Sequence, residues 1–228
     1  MSSSGEFHDH ISNVIKTIRK RIGWICRTFY NRSLDFMRRI YVSLIRPTID
    51  YCSQIWGPSE GPQMDELEKT QKDFTKLIPE LRLLDYSERL KKMRLQSIQR
   101  RFDRYRVMYM KKVQLKLVPN PGVVMEHCYK HRKGYMFKVP YRNENTKKWT
   151  SASRTHTFQF RGPKIFNCIP IELRNYSGSL DSFKEHLDRF LSMIPDTPTI
   201  GNYLVSFISN DLDHQVSKWE WRLRNGPF

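Results

Sequence analysis

The chain has 228 residues, 39% hydrophobic and 13% aromatic: enough apolar material for a packed interior, and too much for disorder throughout. With 40 Lys and Arg against 23 Asp and Glu, its formal net charge is +17, which favours a polyanionic partner. No apolar run approaches the roughly 18 residues of a membrane span. The opening MSSSGEFHDH lacks the apolar core of a signal peptide, and Cys26, Cys52, Cys128 and Cys168 form no CxxC pair, so the expectation is a reduced, soluble protein of the nucleus or cytoplasm with no membrane partner.

Residues 1–10 read as a tail. Ile11, Val14, Ile15, Ile18, Ile22, Ile25 and Phe29 then recur at helical spacing, with Lys16, Arg19, Lys20 and Arg27 at other positions. Asp9 or Ser12 is placed to cap this helix, and Gly23 weakens it. NRSLDFMRRIYVSLIRP predicts a second helix with Leu34, Met37, Tyr41, Leu44 and Ile45 inward; Pro47 should end or kink it, because proline lacks the donor and clashes with the preceding turn. PTIDYCSQIWG resumes helically from Pro47, and GPSEGP is a loop. MDELEKTQKDFTKLI is amphipathic, with Leu67, Thr70, Phe74, Leu77 and Ile78 on one side, acids early as the helix dipole prefers, and Pro79 as its stop. DYSERLKKMRL predicts a short helix capped by Asp85 or Ser87. SIQRRFDRYRVMYMKKV predicts a longer one reaching about Val118, where PNPG ends it.

The second half reads differently. Val123–Met125 and Tyr135–Val139 have strand-like content, and THTFQF alternates β-branched and aromatic residues. RNENTKKWTSASRT is a polar loop, GPKIFNCIP a short helix, and LDSFKEHLDRFLSMI a final helix with Leu180, Phe183, Leu187, Phe190, Leu191 and Ile194 as its stripe. Beyond Pro195 the chain reads as irregular, with one weak helix near SNDLDHQVSKW. The expected fold is mainly α: a helical bundle over 11–118, a small α+β extension with a few short strands over 119–196, and a tail over 197–228.

Positive charge is concentrated in three blocks. Lys16–Arg46 holds nine basic residues against Asp35, Arg89–Lys116 eleven against Asp103, and Lys130–Lys164 ten against Glu144. Blocks of one sign suit a polyanion track, since neutralising several phosphates releases counterions. On the helix within 97–113, Ile98, Phe102, Tyr105, Tyr109 and Val113 form a stripe with Met108 beside it; the aromatics read as core, not as exposed stacking platforms. Arg100, Arg104 and Lys111 fall on the far side and Arg101, Arg106 and Lys112 flank the stripe, an arrangement that permits an exposed ridge gripping phosphates without reading bases. A solvated helix face is the alternative, and charge alone does not choose.

Catalysis has little support. Metal-dependent phosphoryl transfer needs converging carboxylates, and each basic block holds a single acid. Neither G-x-S-x-G nor H-E-x-x-H occurs. HCYKH brings His127, Cys128 and His131 within five residues, but no second cluster follows, and a basic stretch between two strands accounts for it without metal. No cofactor is expected.

HISNVIKTIRKRIGWICRTF, YVSLIRPTIDYCSQIWGP, LEKTQKDFTKLIP, YSERLKKMRLQSIQRRFDRY, LVPNPG, FRGPKIFNCIP and SFKEHLDRFLSMIPD occur in that order. Together they resemble the C-terminal part of reverse transcriptases of non-LTR (LINE-type, jockey-like) retrotransposons, collinearly from about Phe7 to Val216. The resemblance implies a thumb over residues 11–118 and a C-terminal extension over 119–217, which hold template RNA or an RNA–DNA duplex. The family's polymerase centre lies upstream, in a Y/F-x-D-D motif that does not occur here, so a non-catalytic portion is implied. Arg46, Pro47, Tyr51 and Trp56 match a pattern assigned to packing the thumb. Arg161, Gly162, Pro163, Phe166, Asn167 and Pro170 match one assigned to structure first and RNA contact second. KWEWRLRNGPF departs from the pattern. The expected nucleic-acid contacts are Lys16, Arg19, Lys20, Arg38, Arg39, Arg100, Arg101, Arg104, Lys111 and Arg161. The competing expectation is a structural or protein-interaction module that binds a partner, or a second copy of itself, through the apolar surface a palm would cover.

Overall fold

The computed structural model describes residues 7–58, 61–128, 134–140 and 157–196, together with 198, 212 and 216; for 126–128 and 134–135 it describes the backbone alone. The protein is mainly helical. It divides into two compact units, Met1–Phe102 with Asp196–Asn210, and Asp103–Pro195 with Asp211–Phe228. The division falls inside a helix, whereas sequence patterning put the change near Pro119. The reason lies in packing: Ile98 and Phe102 belong to one hydrophobic core, and Val107, Met110 and Val113 to the other.

In the first unit, α1 (His8–Thr28) buries Ile11, Val14, Ile15, Ile18 and Ile25, the residues its spacing marks as apolar. α2 (Leu34–Ile40) does not stop at the proline. It runs through a π turn (Tyr41–Ile45) into α3 (Arg46–Asp50), with Pro47 in its first turn. A wider turn just before a proline eases the clash that an α-helical register imposes there. Tyr41 enters the core from this turn, and Arg21 of α1 donates to the Leu44 carbonyl and the Thr48 hydroxyl, tying the two segments together. α4 (Ser53–Trp56) follows Cys52, whose φ of 52° is left-handed. α5 (Pro62–Lys76) packs on α1, and α6 (Tyr86–Met93) packs on α2 and α5.

α7 (Ile98–Gln114) begins in the first unit on a set of buried acceptors. Glu68, 3% exposed on α5, takes the amides of Ile98 and Gln99 on Oε2 at 2.9 and 3.3 Å and the Tyr86 hydroxyl on Oε1 at 2.5 Å. Asp196 accepts from the Ser97 amide at 2.8 Å, and the Ser97 hydroxyl accepts from the Arg100 amide at 3.1 Å. A helix N-terminus leaves its first amides without intrahelical partners; here the oxygens of Glu68, Asp196 and Ser97 accept from them. Gln71 continues the network, accepting from Tyr41 and donating to the Gln96 carbonyl.

The second unit takes the rest of α7 and a short antiparallel hairpin, β1 (Met125–Cys128) and β2 (Gly134–Phe137), with Met125 opposite Phe137 and Cys128 opposite Gly134. α8 (Phe158–Cys168), α9 (Ile171–Arg174) and α10 (Leu180–Met193) complete it. Phe158–Phe160 open α8, not a strand: six alternating residues do not separate the two states, and Phe160, Ile165 and Phe166 all reach the core from a helix. Gly162 lets α8 approach α7 closely, since a Cβ there would stand 2.9 Å from the Met110 sulfur. Asn167 bonds both backbone groups of Phe137, at 3.0 and 2.7 Å, and so locks α8 to β2. Ser179 caps α10 through the Ser182 amide, and α10 buries Phe183, Leu187, Phe190 and Leu191 of the expected stripe.

Burial pushes the Glu68 carboxyl up to about 8, with the Asp196 charge adding to the rise and the Tyr86, Gln99 and Ile98 hydrogen bonds opposing it. Between the unfolded glutamate range near about 4.3 and that value, the folded unit keeps a proton that the unfolded chain has released. Stability therefore falls as pH rises through this window. Glu68→Gln, which stays neutral and keeps an acceptor, should leave the urea midpoint near wild type at pH 5 and raise it at pH 8. Midpoints that move in parallel at both values would show that the carboxyl is ionised throughout.

Candidate nucleic-acid interface

The most basic helix is turned inward. Arg100 and Lys111 are each 1% exposed and Arg104 is 9% exposed, whereas the helical stripe had placed them on the outer side. That placement assumed one face of α7 in water. Instead Asp103, Arg104, Arg106 and Lys111 are buried along with Val107, Met110 and Val113, while Tyr105 and Tyr109 of the expected stripe are half-buried.

Arg104 and Lys111 find partners far along the chain, and Arg106 finds one a turn away. In the first unit, Arg101 makes a two-pronged pair with Asp50 at 2.7 and 2.5 Å. In the second, Arg104 pairs in the same way with Asp188 at 2.5 and 2.8 Å, and Arg106 holds Asp103 at 2.9 Å. The two-pronged geometry matches the guanidinium fork to a carboxylate and is the stronger form of such a bond. Lys111 donates to the carbonyls of Arg174 and Tyr176 at 3.1 and 2.7 Å and to Gln114 at 2.9 Å, with its ammonium 5.0 Å from the centre of the Phe183 ring. It closes the C-terminal end of α9, and burial lowers its amine to about 8. Arg161 is 5% exposed within α8. Arg100, Arg104, Lys111 and Arg161 therefore offer no charge to a polyanion outside, and Arg101 offers little.

Arg38 is half-buried and donates to the Met93 carbonyl at 2.8 Å, closing α6, while Arg39 beside it is exposed. Exposed Lys91, Lys92 and Arg94 stand at the same end of α6. Tyr51, expected to pack, is 76% exposed; Trp56 is buried as expected and donates to the Tyr51 carbonyl at 2.6 Å.

A run of outward cations of one sign also lies along α1. Lys16, Arg19 and Lys20 are exposed, and so is Arg27, which lies seven residues beyond Lys20 on the same face. None of the four has an acidic partner or a hydrogen-bond acceptor among the described residues. From Lys16 to Arg27 the face spans roughly 16 Å at the helical rise, and no acid interrupts it. Other long helices differ: α5 exposes Glu66, Lys69, Asp73 and Lys76, and α10 exposes Asp181, Lys184, Glu185 and Arg189, so their outer charges alternate in sign. Arg27 is not among the contacts expected from sequence; its helical phase relative to Lys16 and Lys20 is the signal that assigns it to this face.

His131 and the side chains of His127 and Cys128 lie outside the described residues, and no group of three metal-ligating side chains occurs among the described ones. No described helix is long and apolar enough to cross a membrane.

Lys111→Met keeps the aliphatic stem but removes the donor from the Arg174 and Tyr176 carbonyls. It should destabilise the second unit by about 1–3 kcal/mol, read from urea unfolding. A midpoint equal to wild type would show that the ammonium does not hold those carbonyls.

No family model, no curated protein and no solved structure matches this chain.

Proposed function

We propose that this chain is a non-catalytic, nucleic-acid-binding portion of a reverse transcriptase of the non-LTR type, which holds template RNA or an RNA–DNA duplex through the outer face of α1. The observation that carries the reading is the row Lys16, Arg19, Lys20 and Arg27, exposed, of one sign and without internal partners. Cations in that state gain most from phosphates, because they give up only water and released counterions follow. The row lies within HISNVIKTIRKRIGWICRTF, one of the stretches that carries the family resemblance. Arg39 is a further exposed cation of the same unit. The mechanism is grip without base reading: contacts to phosphate position a strand, and the 2′-hydroxyls favour RNA.

A second reading, a protein-interaction module, draws on Tyr51 and Ile55, exposed at 76% and 54% four residues apart. An apolar pair of this kind suits a partner surface better than phosphate.

Fluorescence anisotropy with a primed RNA–DNA hybrid, titrated from low to physiological salt, separates the two. Four phosphate contacts give a slope of log K against log salt of about −3 to −4. Replacing Lys16, Arg19, Lys20 and Arg27 together by Ala should remove most of that slope. An unchanged slope would refute the α1 assignment, and concentration-dependent self-association without hybrid binding would favour the second reading.

A further inference from the structure

Charge accounts for the lysines and arginines on the outer face of α1, but not for the indole among them. Trp24 stands on that side, four residues after Lys20 and three before Arg27, and is 47% exposed. Its ring meets Phe29 in a perpendicular arrangement, with centroids 5.6 Å apart, and Phe29 meets Phe36 in the same way at 5.3 Å. The indole is thus braced from within while about half of it faces water. Among the described residues it makes no other ring contact, cation–π contact or hydrogen bond. A single exposed aromatic is ordinary on a protein surface; this one stands among outward cations on one helix face.

Gly23, the residue before it, is a second and independent anomaly. It sits inside a 21-residue helix, where glycine is unfavourable. Among the described residues nothing requires it: a Cβ at Gly23 would meet only the Arg27 guanidinium, at an ordinary 3.5 Å. Its helical phase puts it on the cationic face, between Lys16 and Lys20 on one side and Arg27 on the other. Absence of a side chain there leaves bare backbone that another chain can approach closely.

We propose that Trp24 is a stacking platform for an unpaired base, so that the ligand of the α1 face is a single strand of nucleic acid. Its phosphates lie along Lys16, Lys20 and Arg27, and its backbone passes over Gly23. This rests on the nucleic-acid reading above and narrows it. A duplex keeps its bases stacked on one another and offers cations only phosphate and groove edges. A single strand offers both phosphate and free π-faces, which is the pairing of groups this face presents.

The test uses the full chain and fluorescence anisotropy with three probes: a short oligouridylate, an abasic strand of equal length and charge, and a blunt RNA duplex. Wild type should bind the oligouridylate more tightly than the abasic strand. Trp24→Ala should cost about tenfold on the oligouridylate, the lower end of what one stacked base contributes, and nothing on the abasic strand; Trp24→Phe should recover part of the loss. Gly23→Ala should raise the melting temperature yet weaken the oligouridylate complex. If Trp24→Ala leaves both single strands unchanged while the four-cation Ala variant abolishes binding, stacking is overturned and the charge reading stands. Equal loss on both strands, or tighter binding of the duplex, also overturns it. Equally tight binding of a polyglutamate peptide at the same salt would assign the face to an acidic protein instead. Wild type binding no nucleic acid at low salt would remove both the inference and the reading beneath it.

Discussion

A cation inside a protein must find compensation there, because the water it gives up cannot otherwise be replaced. This constraint organises α7, in which Arg100, Arg104, Arg106 and Lys111 are all buried. Asp188 meets it for Arg104, Asp103 for Arg106 and the carbonyls that end α9 for Lys111, while Asp50 pairs with half-buried Arg101. The N-terminus of the same helix needs acceptors of its own, and Glu68, Asp196 and Ser97 supply them. One helix thus collects polar partners from sequence positions as distant as 50 and 196, while its apolar residues are shared between two cores.

The consequence for function is a redistribution of charge. The block with the largest positive balance neutralises much of itself inside the protein. Of the block before it, several cations are also engaged: Arg21 at the π turn and Arg38 at the end of α6. Among the described residues, what remains for a polyanion includes the part of α1 opposite its isoleucines, together with exposed Arg39, Lys91, Lys92 and Arg94. That face is available because six apolar residues, Ile11, Val14, Ile15, Ile18, Ile22 and Ile25, already anchor the other side. Net charge measures solubility and long-range attraction; an interface depends on which charges have no partner within the fold.

Pro47 illustrates how local rules yield to context. Proline in a helix forfeits a hydrogen bond and crowds the preceding turn, yet the chain from Leu34 to Asp50 stays helical by widening to a π turn. Burial of Tyr41 and Ile45 and the bonds from Arg21 hold that turn in place. A similar override makes Phe158–Phe160 helical, because Phe160, Ile165 and Phe166 reach the same core only from a helix.

The sequence by itself determined the helical class, the extents of α1, α5, α6 and α10 to within a few residues, two short strands near 125 and 137, and which isoleucines of α1 turn inward. These follow from periodicity and from Pro, Gly and Ser at helix ends, which act within one or two turns. Lys16, Arg19 and Lys20 were legible as an exposed row for the same reason: α1 has one buried side, and a helical wheel describes that case well. Tertiary structure alone decided that α7 is enclosed, so that Arg100, Arg104 and Lys111 serve the interior. It also decided that Glu68 holds the start of a helix thirty residues on, and that Trp24 stays open. Periodicity locates an apolar stripe but does not say how many sides of a helix are covered. That depends on contacts between residues far apart in the chain, for which spacing along it carries no signal.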